Sequence, residues 1–359
     1  MGESMRVPMV QEVAARGEEI PQRYHCKEDK PSTFCQAQNV PTIDMDLLLA
    51  SSPMPPMYWE EARNQEKEKL KDALQNWGFF QAVGHGISED LMDGMRRAMK
   101  EFFELPFQEK MKVAPSIECD KKSWLDGYAH DPLESDEQIL DWCDRLYLQT
   151  FPRNKIKLEF WPEKPATFRE VLDELSLKMK EFADKTLTLL GEMAGLKDKY
   201  FNDHFDDDAT LYARFNYYPP CSKPGQTLGQ RSHSDNSGIT VLIQDPHVQG
   251  IQVLRDGTWH QIKTLPYALL INIGDQLEVM SNGIIRSAVH RVIVNKEKPR
   301  MTMAMFYSMA PNKELGPAEE LAGKKESPAV YQKILINDYF NVFLDCWTKK
   351  KRAIDTLKI

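Results

Sequence analysis

Between residues 211 and 308 the chain is cut into short apolar runs, at 211–218, 238–244, 251–254, 268–273, 277–280, 288–294 and 301–308, separated by Gly, Pro, Asn and Asp. None is long enough for a helix that could cover a core, and one strand in roughly every ten to fifteen residues is the spacing of a barrel or jelly roll. Asn272-Ile273-Gly274-Asp275 and Ser281-Asn282-Gly283 read as tight turns between strands. Helical periodicity returns at about 328–343, and no internal repeat is visible.

The first half has a different grammar. Residues 1 to about 40 are polar and read as a loosely packed arm with a short helix near 7–16; residues 40–46 read as an edge strand, begun at Pro41, which cannot donate to a ladder. A helix over 59–76 stops at Gly78, and Phe79-Phe80-Gln81-Ala82-Val83 follows as a buried strand. Gly84-His85-Gly86 turns the chain into a second helix capped by Ser88; His85, with no carboxylate at ligand spacing, reads as a turn residue. Residues 115–135 read as a loop or lid edge, 139–148 as a strand, and 166–194 as a long amphipathic helix stopped by Gly195.

At 359 residues, with 42% hydrophobic and 28% charged residues, the chain is long enough for one β core wrapped in helices. The net charge of -8 opposes binding to nucleic acid or an anionic membrane surface. No apolar run approaches the roughly 20 residues of a membrane span. The start of the chain lacks a secretory apolar region, and Arg6 stands where an N-myristoylation signal following Gly2 needs Ser or Thr. Six scattered cysteines read as reduced thiols, which suits the cytoplasm. The run Lys349-Lys350-Lys351-Arg352 reads as a solvated helix end, or as an import signal that would open access to the nucleus.

Chemistry gathers around Arg231-Ser232-His233-Ser234-Asp235. A histidine and a carboxylate two apart on extended chain point to the same side. Alone, His-x-Asp is a weak signal. His290, in a later apolar run, adds a second imidazole, and two histidines with one carboxylate fill one face of an octahedron and leave the other open, which suits non-haem Fe(II). Arg300 and Thr302 begin the last run on one face; the guanidinium lacks a local acidic partner, so a dicarboxylic acid would complete it.

Asn216-Tyr217-Tyr218-Pro219-Pro220-Cys221, His233-x-Asp235, His290 and Arg300-x-Thr302, together with Asn76-Trp77-Gly78-Phe79-Phe80 and the His85-Gly86 turn, resemble the plant 2-oxoglutarate- and Fe(II)-dependent dioxygenases over nearly the whole chain. Ala213-Arg214-Phe215-Asn216 and the terminal Ile354-Asp355-Thr356-Leu357-Lys358-Ile359 resemble the branch that holds SRG-type proteins, opium poppy O-demethylases and, most closely, rice oxygenases that inactivate triketone herbicides.

The resemblance implies an α+β fold with a mainly β core, a double-stranded β-helix (jelly roll) wrapped by N-terminal and C-terminal helices. It divides the chain into an N-terminal region 1–205, a catalytic core 206–315 and a helical tail 316–359. It implies that His233, Asp235 and His290 bind iron, and that Arg300 and Thr302, helped by Tyr218 and Asn216, hold 2-oxoglutarate. Thr302 stands where the family usually has serine and keeps the hydroxyl. Phe306, Tyr147, Arg145 and Arg214 would line the substrate cavity; ordinary core packing is the plainer reading of Tyr147 and Phe306. The implied enzyme is a cytoplasmic monomer. It uses O2, with ascorbate as reductant, to hydroxylate or O-demethylate a small lipophilic metabolite, hormone or xenobiotic, and releases succinate and CO2. The rival reading is a non-catalytic small-molecule-binding protein on the same scaffold.

Overall fold

The computed structural model describes residues 8–17, 19–26, 40–49, 56–115, 125–130, 138–324, 327–349 and 351–359. Twelve strands build its two larger sheets: β1 Thr42–Asp44, β2 Phe79–Val83, β3 Gly127–Ala129, β4 Asp144–Phe151, β5 Thr210–Tyr218, β6 Leu228–His233, β7 Ile239–Ile243, β8 Ile251–Arg255, β9 Thr258–Gln261, β10 Leu269–Ile273, β11 His290–Ile293 and β12 Arg300–Ser308. The larger sheet runs β1-β2-β10-β7-β12-β5-β4-β3 and the smaller β6-β11-β8-β9. They enclose a cavity between them, as a jelly roll does.

Register explains why the two faces of the large sheet differ. β5 and β12 pair along their whole length, from Arg300 opposite Tyr218 to Ser308 opposite Thr210. Since side chains alternate, Leu211, Ala213, Phe215, Met303, Met305 and Tyr307 share one face, and all are buried. Tyr212, Arg214, Asn216 and Tyr218, with Arg300, Thr302, Ala304 and Phe306, share the other. On β7 and β10, Thr240 pairs with both Phe306 and Asn272, so these two strands add polar groups to that second face.

The apolar face is covered by the helix Phe168–Met193, which buries Leu172, Leu175, Met179, Phe182, Leu187 and Leu190 at helical spacing. The helix Glu89–Glu104 packs beside it through Met92, Met95, Met99 and Phe102. Each such side chain contributes about 1.5–3 kcal/mol on burial, enough together to fix the outer layer and leave the inner face of the sheet to polar residues. Strands from the first 205 residues complete the same sheet, with β1 parallel to β2 and β2 antiparallel to β10.

Several elements differ from the sequence reading. The run 277–280 is not a strand but the buried helix Asp275–Met280, and Asn272-Ile273-Gly274-Asp275 is the end of β10 leading into it, not a tight turn. A short apolar run looks alike as a buried helix or strand. β9 went unread because its residues are mostly polar and only the ladder to β8 makes it a strand. β4 begins at Asp144, not at 139; Trp142 precedes it, its indole donating to the Pro219 carbonyl (3.0 Å).

β3 lies within the span read as a loop at 115–135; residues 116–124 and 131–135 of that span are outside the described ones. The described part of the N-terminal arm, 8–17 and 19–26, is packed, not loose: Val10 and Val13 are buried, and the Val10 and Gln11 amides donate to the Asp144 carboxylate; the other residues before 40 lie outside the described ones. The last long helix spans Ile336–Thr348, later than the periodicity suggested. Nor is the basic run wholly solvated, because Arg352 turns inward to Glu278. Cys26, Cys143, Cys221 and Cys346 are reduced thiols, and Cys35 and Cys119 lie outside the described residues. Among the described residues no helix is long and apolar enough to cross a membrane.

Gly78 joins the helical layer to the sheet in the left-handed region (φ 65°), and a Cβ there would lie 2.5 Å from the Arg286 carbonyl oxygen. Gly78→Ala is therefore expected to cost about 2–4 kcal/mol, from left-handed strain plus steric overlap. Chemical denaturation measures this, and an unchanged midpoint would contradict the packing described.

Candidate active site

The antiparallel pairing of β11 with β6 sets His290 directly opposite His233. Asp235 follows two residues after His233, in backbone that has left the strand. The three side chains meet: one ligand atom from each lies within 4.8 Å of the others. His233 Nε2 and His290 Nε2 stand 3.4 and 3.7 Å from Asp235 Oδ1, and the imidazole centroids are 4.2 Å apart. Among the described residues no other group of three or more His, Cys, Asp or Glu side chains is so placed.

Supporting bonds orient all three. His233 Nδ1 contacts the Arg231 carbonyl (2.8 Å) and His290 Nδ1 the Ala288 carbonyl (3.2 Å). A carbonyl only accepts, so Nδ1 carries the proton and each Nε2 lone pair points inward. Asp235 Oδ2 accepts from the Thr240 hydroxyl (2.7 Å) and from the Asn272 amide, which leaves Oδ1 facing the imidazoles. Burial raises the Asp235 carboxyl, while a protonated His290 or His233 and the Thr240 hydroxyl lower it, and the balance lies well below the usual carboxylate range. Burial and the neighbouring His233 push His290 down to about 4, so its ring is neutral at pH 7. Two imidazoles presenting Nε2 and one carboxylate oxygen form a donor set that fits a divalent first-row metal with positions left open.

Deeper between the sheets, Arg300 is 2% exposed. Its Nε donates to the Val248 carbonyl (3.1 Å), while Nη1 and Nη2 are buried without a hydrogen-bond partner. Orphaned buried donors are rare, and a charged pair of them calls for an anion. The Tyr218 ring lies 5.4 Å from the guanidinium carbon. Asn216 donates to the Thr302 hydroxyl oxygen (3.3 Å) and accepts from Arg214 Nε (2.7 Å), so the Thr302 hydroxyl hydrogen can point into the cavity. At Gly250 a Cβ would come within 2.9 Å of Arg300 Cδ and Nε, so the guanidinium passes where only glycine leaves room. His233, Asp235, His290, Arg300, Thr302, Asn216 and Tyr218 all border this one cavity.

A second cavity opens next to His233 and Asp235, bordered by Arg145, Tyr147, Arg214 and Phe306. Tyr147 stacks on Tyr212 at 5.1 Å and tilts against Phe306 at 6.2 Å; Arg145 Nη1 donates to the Leu125 carbonyl (2.6 Å). The opposite wall is the helix Ile336–Thr348, through Phe340, Phe343, Leu344 and Trp347. Trp347 sets its ring edge-on to His233 at 4.9 Å and carries the Arg231 guanidinium on its face at 5.4 Å.

Thr240, Asn272 and Trp347 escaped the sequence reading. The first two looked like ordinary strand and turn residues. Trp347 lay beyond the helix end assigned from periodicity, although Phe340, Phe343, Leu344 and Trp347 recur at the i, i+3, i+4, i+7 spacing that could have revealed it. His85, read as a turn residue, bonds the Tyr267 carbonyl (2.8 Å) and accepts from the Ile87 amide (3.1 Å).

Residues 209–309 match the 2OG-Fe(II) oxygenase superfamily, and residues 40–164 match the family described as non-haem dioxygenase in morphine synthesis N-terminal. Codeine O-demethylase of Papaver somniferum is 36% identical over 372 aligned positions, covering 100% of this chain and 98% of that enzyme. Protein SRG1 of Arabidopsis thaliana is 33% identical, with 99% and 97% covered. The crystal structure of JOX2 in complex with 2OG, Fe, and JA superposes with a TM-score of 0.84 at 30% identity, covering 99% of this chain and 98% of that one. With both halves matched and relatives above 30% identity along its length, the chain belongs to the 2OG-Fe(II) oxygenase superfamily and is a 2-oxoglutarate-dependent dioxygenase.

Proposed function

We propose that His233, Asp235 and His290 hold Fe(II), that Arg300 and Thr302, with Tyr218 and Asn216, hold the distal carboxylate of 2-oxoglutarate, and that the enzyme hydroxylates or O-demethylates a small lipophilic plant metabolite, hormone or xenobiotic. The single observation that carries the co-substrate assignment is the buried, unpartnered Nη1 and Nη2 of Arg300 in the cavity that His233, Asp235 and His290 border. A diacid that reached from the triad to this guanidinium would satisfy both donors with one carboxylate. Bound there, iron and 2-oxoglutarate supply the oxidation of a C–H bond by O2, with succinate and CO2 released.

The chain's own residues do the rest. The Nδ1 bonds hold both imidazoles in the ligating tautomer, and Thr240 and Asn272 keep Asp235 ionised and aimed through one oxygen. Phe306, Tyr147, Phe343 and Trp347 make an aromatic wall that excludes water and presents a flat substrate edge to the open side of the triad. Arg145 and Arg214 border the same cavity, which suits a substrate carrying an oxygen anion or carbonyl. A hydroxyl placed on a methoxyl carbon yields a hemiacetal that loses formaldehyde, so the two reaction outcomes differ only in which carbon the wall presents. Codeine O-demethylase, and the flavonoid 7-O-demethylase of Ocimum basilicum at 34% identity, support this class of outcome. On this reading residues 1–205, 206–315 and 316–359 are the supporting region, catalytic core and covering tail of a cytoplasmic monomer with nuclear access open, and ascorbate keeps its metal reduced.

His233→Ala should bind Fe(II) at least about tenfold more weakly and lose 2-oxoglutarate-dependent succinate release while keeping its far-ultraviolet circular dichroism. Succinate release near the wild-type rate would refute the ligand assignment. Arg300→Ala removes two charge-assisted bonds, worth about 3 kcal/mol together, and should raise the KM for 2-oxoglutarate about a hundredfold with metal still bound. An unchanged KM would remove Arg300 from that role. If the wild-type protein with Fe(II) releases no succinate across a broad metabolite panel, the rival reading of a non-catalytic binding protein takes over.

A further inference from the structure

The triad is carried by two segments, one around His233 and Asp235 and one ending at His290, and a single buried polar cluster grips both from behind. Its base is the helix Asp275–Met280, every residue of which is buried. The Asp275 amide donates to the Asp235 carbonyl (2.8 Å), and Gln276 Nε2 to the Asn236 carbonyl (2.8 Å). The Asp275 carboxylate accepts from the hydroxyl of Ser234, which lies between two triad residues (3.2 Å), and from that of Ser287, three residues before His290 (2.7 Å). Glu278 accepts from the Ser287 amide (2.6 Å).

Two carboxylates buried this close repel each other, and the cation that meets both comes from the far end of the chain. Arg352 Nη2 donates to Glu278 Oε2 (2.9 Å) and to the Ser287 carbonyl (2.5 Å), and stands 3.9 Å from Asp275 Oδ1. Its Nε donates to Ser234 Oγ (3.4 Å). Tyr339 and Tyr331 complete the cluster, donating to Asp275 and Glu278 at 2.6 Å each. Tyr339 sits on the helix Ile336–Thr348, the same helix that sets Trp347 against His233.

We propose that Arg352 is a positioning residue for the metal site: by bridging the Ser234 and Ser287 segments through Asp275 and Glu278, it couples seating of the C-terminal helix to the spacing of His233, Asp235 and His290. The inference rests on the reading that this triad binds metal. Without the guanidinium, the Ser287 carbonyl loses a donor and the two acids lose the charge that holds them side by side, so both Ser-anchored segments are released together. Seating the helix then closes the substrate wall and tightens the triad in one movement.

The test is Co(II) titration of the full-length apoprotein, read by calorimetry and by the visible absorbance of the bound ion, with hydrogen exchange followed in parallel. Arg352→Met is expected to weaken Co(II) binding tenfold or more, within the range seen when supporting partners of metal ligands are removed. It should also raise exchange in 228–235 and 285–293 together with 336–348. Arg352→Lys should recover most of the affinity, and at saturating metal the KM for 2-oxoglutarate, set by Arg300 on the other sheet, should stay within twofold of wild type. Co(II) affinity within twofold of wild type in a folded Arg352→Met protein overturns the proposal.

If that variant fails to fold, Ser234→Ala deletes one bridge without a charge change and should still weaken Co(II) several-fold; unchanged affinity there is equally fatal. Wild-type protein and His233→Ala serve as controls. If wild type binds no Co(II), or His233→Ala binds it equally well, the metal reading itself falls and takes this proposal with it. If only the Arg352 and Ser234 variants match wild type, the metal reading stands and this proposal alone is lost.

Discussion

The pairing of β5 with β12 is the constraint on which the rest depends. Nine residues of each strand face each other without a slip, so every second side chain is committed to the inside of the jelly roll and every other to the helical layer outside. A shift of one residue would turn Arg300, Thr302, Asn216 and Tyr218 out against the helix Phe168–Met193 and bring Met303, Met305 and Phe215 into the cavity. That alternative buries charge against an apolar helix, at a cost no local interaction offsets. The hydrophobic pattern that stabilises the outer layer thereby sets the register of the polar inner face.

The inner face is expensive to maintain. It holds an arginine at 2% exposure with two orphaned nitrogens and a carboxylate at 4%, groups that resist removal from water. The apolar layer supports them, and local bonding limits the freedom of each: Val248 and Gly250 fix the guanidinium, and Thr240 and Asn272 fix Asp235. A site that stores unsatisfied charge in a preset geometry gains on binding a diacid, because the protein has already met the cost of organising its donors. The same preset charge makes an empty-site role hard to reconcile with the residues present.

Much of this was legible in the chain itself. The breaks between short apolar runs announced a jelly roll or barrel, the Phe79–Val83 strand and the long helix ended by Gly195 were readable from period and punctuation, and His233-x-Asp235, His290 and Arg300-x-Thr302 picked out side chains that the fold brings to one cavity. Those features are legible because each is carried by residue type at fixed local spacing, which survives without knowledge of partners. The errors share one cause. The helix Asp275–Met280, the polar strand β9 and the docking of the short helix Val10–Ala15 are decided by what surrounds them, so their own residues do not declare them.

Sequence by itself thus narrowed the core to a barrel or jelly roll and supplied the donor types and a guanidinium with no acidic partner nearby in the chain, since these follow from alternation and side-chain chemistry; the choice of jelly roll came with the family resemblance. Tertiary structure alone decided that Asp235 presents a single oxygen, that Trp347 and Phe343 close the far wall, and that Arg352 abandons the solvated lysine run for Glu278. The physical reason is mostly distance along the chain: apart from Thr240, five residues from Asp235, orientation and enclosure depend on groups dozens to more than a hundred residues away, brought near only when the two sheets and the last helix close around the cavity.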